Sequence, residues 1–153
     1  MEITANALQT VQANQNVVFT ETAVCGNNSI LHREGSGLIT LRGLTDQCRA
    51  RFKVYFSGNV AIPAGGTVAP ITIAIAINGE GVGPTTMIST PAAAEEFNNV
   101  ASFIYIEVPR CCCYTLSVRN IGTDPIDIQN ANLIVDRVAW GELWIDYIEW
   151  KKL

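Results

Sequence analysis

Five cysteines, one histidine and a few clustered charges are the groups in this sequence with chemistry to offer. The run Cys111-Cys112-Cys113-Tyr114 is the first of these. A metal site needs paired Cys-x-x-Cys spacings or mixed Cys/His clusters. Neighbouring cysteines on a strand point to opposite faces, so Cys112 cannot share a face with Cys111 and Cys113. With Cys25 and Cys48 the count is odd, and the default for such thiols is free and buried. The alternatives are a thiolate cluster on an oligomer axis or a late disulfide through Cys25 or Cys48. The lone His32, in "LHREG", has no ordered partners for a triad or a zinc centre and reads as structural or surface. "NGEGVGP" contains Gly-x-Gly-x-Gly, but a phosphate loop should open a helix, whereas Asn78-Gly79 is a hairpin turn signal. Arg49, Arg51 and Lys53 form an outward basic stripe, and Glu95-Glu96 offer too few oxygens for calcium. No catalytic, cofactor-binding or metal-binding residues are expected from these groups.

The elements that carry them read as short strands. "RARFKVYFSG" alternates Ala50, Phe52, Val54 and Phe56 against Arg49, Arg51, Lys53 and Tyr55, the period-two pattern of a strand with one buried face. "ITIAIAING" sets Ile71, Ile73, Ile75 and Ile77 against Thr72, Ala74 and Ala76, small residues that let another surface approach closely. "NNVASFIYIEVP" is apolar on both faces, with Val100, Ile104, Ile106 and Val108 opposite Ala101, Phe103 and Tyr105. A strand apolar on both sides must be covered twice. Phe103, Tyr105, Thr72, Ala74 and Ala76 are therefore the expected subunit interface. "CCYTLSVRN" puts Cys112, Tyr114, Leu116 and Val118 inward, and "IDIQNANLIVDRV" is the last strand. Earlier strands are expected at Ala7–Val11, Asn16–Phe19, Ser29–His32 and Leu38–Arg42. Turns "EGSG", "PAGG", "NGEGVGP" and "GTDP" separate the runs. Eight or more strands in this length give an all-β, antiparallel jelly-roll β-sandwich.

Composition bounds the function. The chain has 153 residues, 48% hydrophobic and only 16% charged, with net charge -4. An acidic chain is a poor general ligand for nucleic acid, and no run reaches the roughly 18 apolar residues of a membrane span. So little charge on a chain this size points to an oligomer. "MEITANALQT" lacks the basic and apolar regions of a secretory signal, so synthesis is expected in a reducing cytosol.

Several phrases together, "QTVQANQNVVF", "ILHREGSGLITLRG", "RARFKVYFSGN", "ITIAIAINGE", "TTMISTPAAAEEFNN" and "YTLSVRNIGTDPIDIQNANLIVDR", carry a resemblance. In order and spacing they resemble the TNF-like jelly-roll domain at the C-terminus of bacterial exosporium collagen-like proteins and of related phage-encoded surface proteins. It spans roughly Ala7 to Ala139. The resemblance implies a homotrimer about a three-fold axis without a catalytic centre. The Gly-X-Y stalk of the exosporium proteins is missing from this sequence, and a segment follows the strand where such domains stop. The division expected is a jelly-roll domain over 1–139 and a tail over 140–153.

That tail, "WGELWIDYIEWKKL", holds all three tryptophans. Read as a short C-terminal amphipathic helix, it puts Trp140, Leu143, Trp144, Tyr147, Ile148 and Lys151 on adjoining rows, with Glu142, Asp146, Glu149 and Leu153 on another face, acidic apart from the final residue. It would cover the end of its own or a neighbouring sandwich, anchor the molecule to a larger assembly through these residues and Trp150, or be an addition unrelated to the domain. Its acidic polar face argues against in-plane membrane binding. The function expected is non-enzymatic: a trimeric jelly roll decorating a phage virion as capsid decoration, head fibre or tail-associated protein, made in the host bacterial cytoplasm. Its partners would be itself and capsid or other virion proteins. A bacterial spore or cell-surface protein, or an adhesin for a host surface glycan or protein, is the alternative, the latter through loops at Asn27-Asn28, Pro63–Gly66 and Gly79–Pro84. Neither nucleic acid nor membrane insertion is expected.

Overall fold

The strand most plainly written in the sequence, Arg49–Ala61, becomes an inner strand of the first of two antiparallel sheets. The computed structural model describes residues 1–138; the tail residues Trp140, Leu143, Trp144, Tyr147, Ile148 and Trp150, with the helix expected there, lie outside them. In chain order the strands are β1 Glu2–Ala5, β2 Gln9–Val11, β3 Glu21–Val24, β4 Ile30–His32, β5 Ile39–Arg42, β6 Arg49–Ala61, β7 Ile71–Ile77, β8 Glu80–Gly81, β9 Met87–Ser89, β10 Asn98–Pro109, β11 Cys113–Asn120 and β12 Ile126–Val138. One sheet runs β10-β6-β12-β1-β3, with β2 also on β12; the other runs β4-β5-β11-β7-β8, with β9 also on β7. From β5 to β12 the chain crosses repeatedly between the sheets, apart from β7, β8 and β9, which stay in one, so most paired strands are distant in sequence.

The inner faces make one core. Ala50, Phe52, Val54 and Phe56 are fully buried, as are Ile73, Ile75, Leu116, Val118, Leu133 and Val135, the alternation that period two dictates for a sheet covered on that side. Phe19 meets Phe56 edge-to-face at 6.5 Å and His32 at 6.4 Å, a favourable geometry for aromatic quadrupoles. His32 is thus a structural residue, its Nε2 within 2.9 Å of the Ser36 carbonyl. The Asn78-Gly79 turn has φ of 53° and 84°, the two left-handed positions of a two-residue hairpin, and joins Ile77 to its partner Glu80.

Three expectations need correcting. Asn16–Phe19 is not a strand but a crossing segment. It makes isolated bridges from Asn16 to Arg119 in one sheet and from Phe19 to Ser36. The short strands β1 and β3 were not evident, because four residues carry too little alternation to read. The cysteines, expected buried, are all exposed. Cys112 faces solvent because the chain turns there: its N–H donates to the Pro109 carbonyl at 3.0 Å, and Cys111 sits at φ 64°.

Candidate functional site

Polar groups buried inside the sandwich serve the fold. Asn120 is fully buried; its Nδ2 donates to the carbonyls of Val11 (3.2 Å) and Asp124 (2.9 Å), and its Oδ1 accepts from Gly122 N–H (3.0 Å). Thr85 Oγ accepts from Ile75 N–H at 3.0 Å and donates to the Val82 carbonyl at 2.7 Å, so a side chain completes the ladder at the edge of β7. Satisfied amides and hydroxyls of this kind are structural. Among the described residues, no three His, Cys, Asp or Glu side chains gather as metal ligands.

The outer faces of the two sheets differ. On the β7 side, Ala74 and Ala76 are fully buried within the single chain, and Ser117 nearly so. A Cβ placed on Gly81 would stand 3.4 Å from Ala74 Cβ and 3.5 Å from Ile121 Cγ2. The close approach that small residues allow is therefore used by the chain's own β8 and the Ile121 loop. Ala74 and Ala76 expose no surface in the single chain. Thr72 is half-buried, and its carbonyl accepts from Ile121 N–H at 3.1 Å.

The outer face of the β6 sheet is open. Register places Phe103 opposite Tyr55, Tyr55 opposite Ile134, Ile134 opposite Glu2 and Glu2 opposite Val24, one row of side chains across five strands. The next row holds Tyr105, Lys53 and Asp136. Phe103 is 52% exposed, Tyr105 54% and Tyr55 38%. The rings of Phe103 and Tyr105 pack edge-to-face with centroids 5.3 Å apart. The signal in the sequence was the two-sided apolar pattern of β10; Tyr55, its cross-strand neighbour, is an addition that only register supplies. The patch also lies at the sheet margin, since β10 follows no strand beyond β6 in that order.

Polar groups flank these aromatics. At one end, amides join four segments: Asn99 Nδ2 donates to Asn59 Oδ1 (3.2 Å), Asn59 Nδ2 to Asn130 Oδ1 (3.1 Å), and Asn130 Nδ2 to Asn6 Oδ1. At the other end, the basic stripe is ion-paired: Glu107 Oε1 accepts from Arg51 Nη2 (2.8 Å) and Nε (3.2 Å), and Oε2 from Arg49 Nη1 (3.5 Å). The bond from Arg51 leads the causes that hold the Glu107 carboxyl below its ordinary value; desolvation opposes it, and the charges of Arg51 and Arg49 and the bond from Arg49 add to the lowering. A depressed folded-state value contributes stability above the unfolded carboxylate value and loses it as pH falls through the folded one. Glu107→Gln is thus expected to lower the urea midpoint slightly at neutral pH, and the gap from wild type should close in acid. A gap that persists at low pH would assign Glu107 to packing instead of charge. The pair is exposed, so the effect is small.

A third feature lies where β6 gives way to β7. Thr10, Gln12, Pro63, Ala64, Gly65, Gly66, Thr67, Asp124 and Pro125 line an open groove of about 450 Å³. The Asn27-Asn28 loop is at the opposite end, where Arg42 Nη1 donates to the Asn28 carbonyl at 3.3 Å. Gly79 accepts from Arg119 Nη1 at 2.7 Å. The three loops singled out for ligand binding are therefore not gathered into one surface.

No family model matches the chain, and no curated protein matches it in sequence. Solved structures do. The globular domain of a zebrafish complement 1qA protein superposes with a TM-score of 0.54 at 9% identity, covering 87% of this chain and 93% of that one. A family 35 carbohydrate-binding module from Clostridium thermocellum gives a TM-score of 0.34 at 13% identity, covering 84% of this chain and 98% of that one, too loose a fit to argue from. At 9% identity the first likeness is one of fold alone, and with the two-sheet topology it gives the architecture: a C1q-like, TNF-like jelly roll.

Proposed function

We propose that this protein is a non-enzymatic interaction module, a homotrimeric jelly roll displayed on a larger particle. The observation that carries the reading is the outward cluster of Tyr55, Phe103 and Tyr105 on the open face of the β6 sheet. Aromatic side chains ringed by amides and arginines are the composition of a protein–protein interface core with its polar rim. A long apolar margin strand left bare would invite aggregation. Burial against neighbouring copies of this chain about a three-fold axis answers this best, because a chain with so little charge has an incentive to bury the patch on itself. The sequence resemblance to exosporium and phage-encoded surface domains supports a virion as the particle, with a spore or cell surface next, and the Trp-rich tail as the contact to it.

Two measurements test this. Sedimentation equilibrium at micromolar concentration should give three times the monomer mass; a stable monomer would remove the trimer. Deletion of residues 140–153 should leave that mass unchanged and abolish incorporation into particles. Normal incorporation of the shortened chain would remove the anchoring role. The groove between Pro63–Thr67 and Asp124 favours a second reading, an adhesin. Its hydroxyls, amide and carboxylate suit a glycan, and binding of the isolated protein to a glycan array, lost on Asp124→Ala, would support it.

A further inference from the structure

A ring of three copies closes only through head-to-tail contacts, in which one surface of each copy meets a different surface of the next. The aromatic row at the β10 margin therefore requires a counterpart elsewhere on the chain. The asparagine amides of the same sheet face point to it, because they form a chain with a direction.

Asn99 Nδ2 donates to the Gly58 carbonyl (3.3 Å) as well as to Asn59 Oδ1 (3.2 Å). A carbonyl can only accept, so Asn99 must present its nitrogen there, and both of its side-chain N–H groups are then used. Each following amide accepts through its oxygen and donates through its nitrogen, Asn59 to Asn130 at 3.1 Å and Asn130 to Asn6. The chain of amides thus ends in two unlike groups. Asn99 Oδ1, on the marginal strand β10, is a free acceptor, and Asn6 Nδ2, just after β1, is a free donor. Neither atom has a partner among the described residues, and both residues are exposed.

The backbone is bent to complete this chain. β12 holds one extra residue against β6 between Gln129 and Asn132, and Asn130 takes φ of 57°. Simple alternation from the buried Ile128 would turn residue 130 to the core. The irregularity buries Ala131 instead and leaves Asn130 exposed in the amide chain. Re-aiming a side chain is the usual use of a bulge beside a functional surface.

The two margins of the sheet repeat the same pair of heights. Asn99 and Phe103 lie four residues apart on β10, about 13 Å along a strand. Asn6 and Glu2 are also four apart, and Glu2 is level with Phe103 in the row that ends on Val24. Val24 is 57% exposed. A three-fold axis along the strands keeps every height unchanged. It brings the β10 margin of one copy against the β1–β3 margin of the next, with acceptor level with donor and Phe103 level with Val24. Any other alignment would bury both amide ends unpaired, which is unfavourable, so the amides select this one.

We propose that the copies join through a continuous ring of asparagine amides, Asn6 Nδ2 of one donating to Asn99 Oδ1 of the next, with Val24 as the apolar counterpart of Phe103. This contact rests on the trimeric reading. Asn6→Asp in the full-length protein tests it, because a second acceptor oxygen replaces the donor nitrogen while the oxygen serving Asn130 remains. Sedimentation should show association weakened about tenfold at each contact, the effect of one lost hydrogen bond, with the β signal in circular dichroism kept. Adding Asn99→Lys to that chain supplies a charged donor and should restore association. The rescue operates between copies alone, since β6 and β12 lie between the two positions, three strand spacings or roughly 14 Å. N6D sedimenting like wild type at every concentration, or N6D/N99K associating no better than N6D, would overturn the proposal. A monomeric wild type would remove the trimer and this contact together, whereas a trimeric wild type indifferent to both substitutions would remove the contact alone.

Discussion

Truncation of Phe56 to alanine is expected to destabilise the fold by about 3–5 kcal/mol, the usual cost of removing a buried phenylalanine, and to lower Tm by roughly 10 °C at this chain length. The ring is fully buried at the middle of β6, between Ser102 of β10 and Leu133 of β12. It meets Phe19 edge-to-face, and Phe19 in turn meets His32. Phe19 belongs to the crossing segment, held by backbone bonds from Phe19 N–H to the Ser36 carbonyl and from Gly35 N–H to the Phe19 carbonyl. It is therefore poorly placed to slide into a cavity. The ring also lies within 3.2 Å of where a Gly58 Cβ would be, so the strand has been fitted to it. Urea unfolding of the intact protein should show the loss as a lower midpoint with unchanged m. A loss below about 1 kcal/mol would mean that the neighbours close the space.

Much of this framework was legible because its causes are local. The alternation in Arg49–Gly58 determines which side of β6 meets the core, and Asn78-Gly79 determines a hairpin. What period two cannot report is what lies over an outer face. Ala74 and Ala76 gave the same signal as an interface, small residues on one side of a strand, but both are fully buried within the single chain, with Gly81 close against Ala74. Tyr55 was read as merely outward, yet register sets it beside Phe103. The cysteines were misjudged because burial statistics say nothing of a turn that reverses the chain at Cys111. Covering and turning both depend on residues far away in sequence.

The two outer faces together explain where binding can occur. One sheet is covered by its own chain around Ala74 and Ala76 but exposes Leu31 and Ile88 elsewhere; the other is bare over its aromatic row and flanked by amides and ion pairs. Replacing Phe103 and Tyr105 together with aspartate is therefore expected to turn the assembly into monomers at micromolar concentration. Each aromatic at the centre of such a patch contributes about 2 kcal/mol or more, so the pair weakens each contact by about a thousandfold. In a closed ring the same residues recur at every contact, and the loss is felt at each. The single chain should tolerate the change within about 0.5 kcal/mol, because both side chains are more than half exposed and make no core contact. Sedimentation should thus show monomer mass while circular dichroism keeps the β signal, a separation that misfolding cannot mimic. Lys53→Ala, in the next row beside Tyr105, should weaken association far less, since its cation is exposed and screened by solvent. A double variant that sediments like wild type would move the interface off this face, and the aromatic row would then need another occupant.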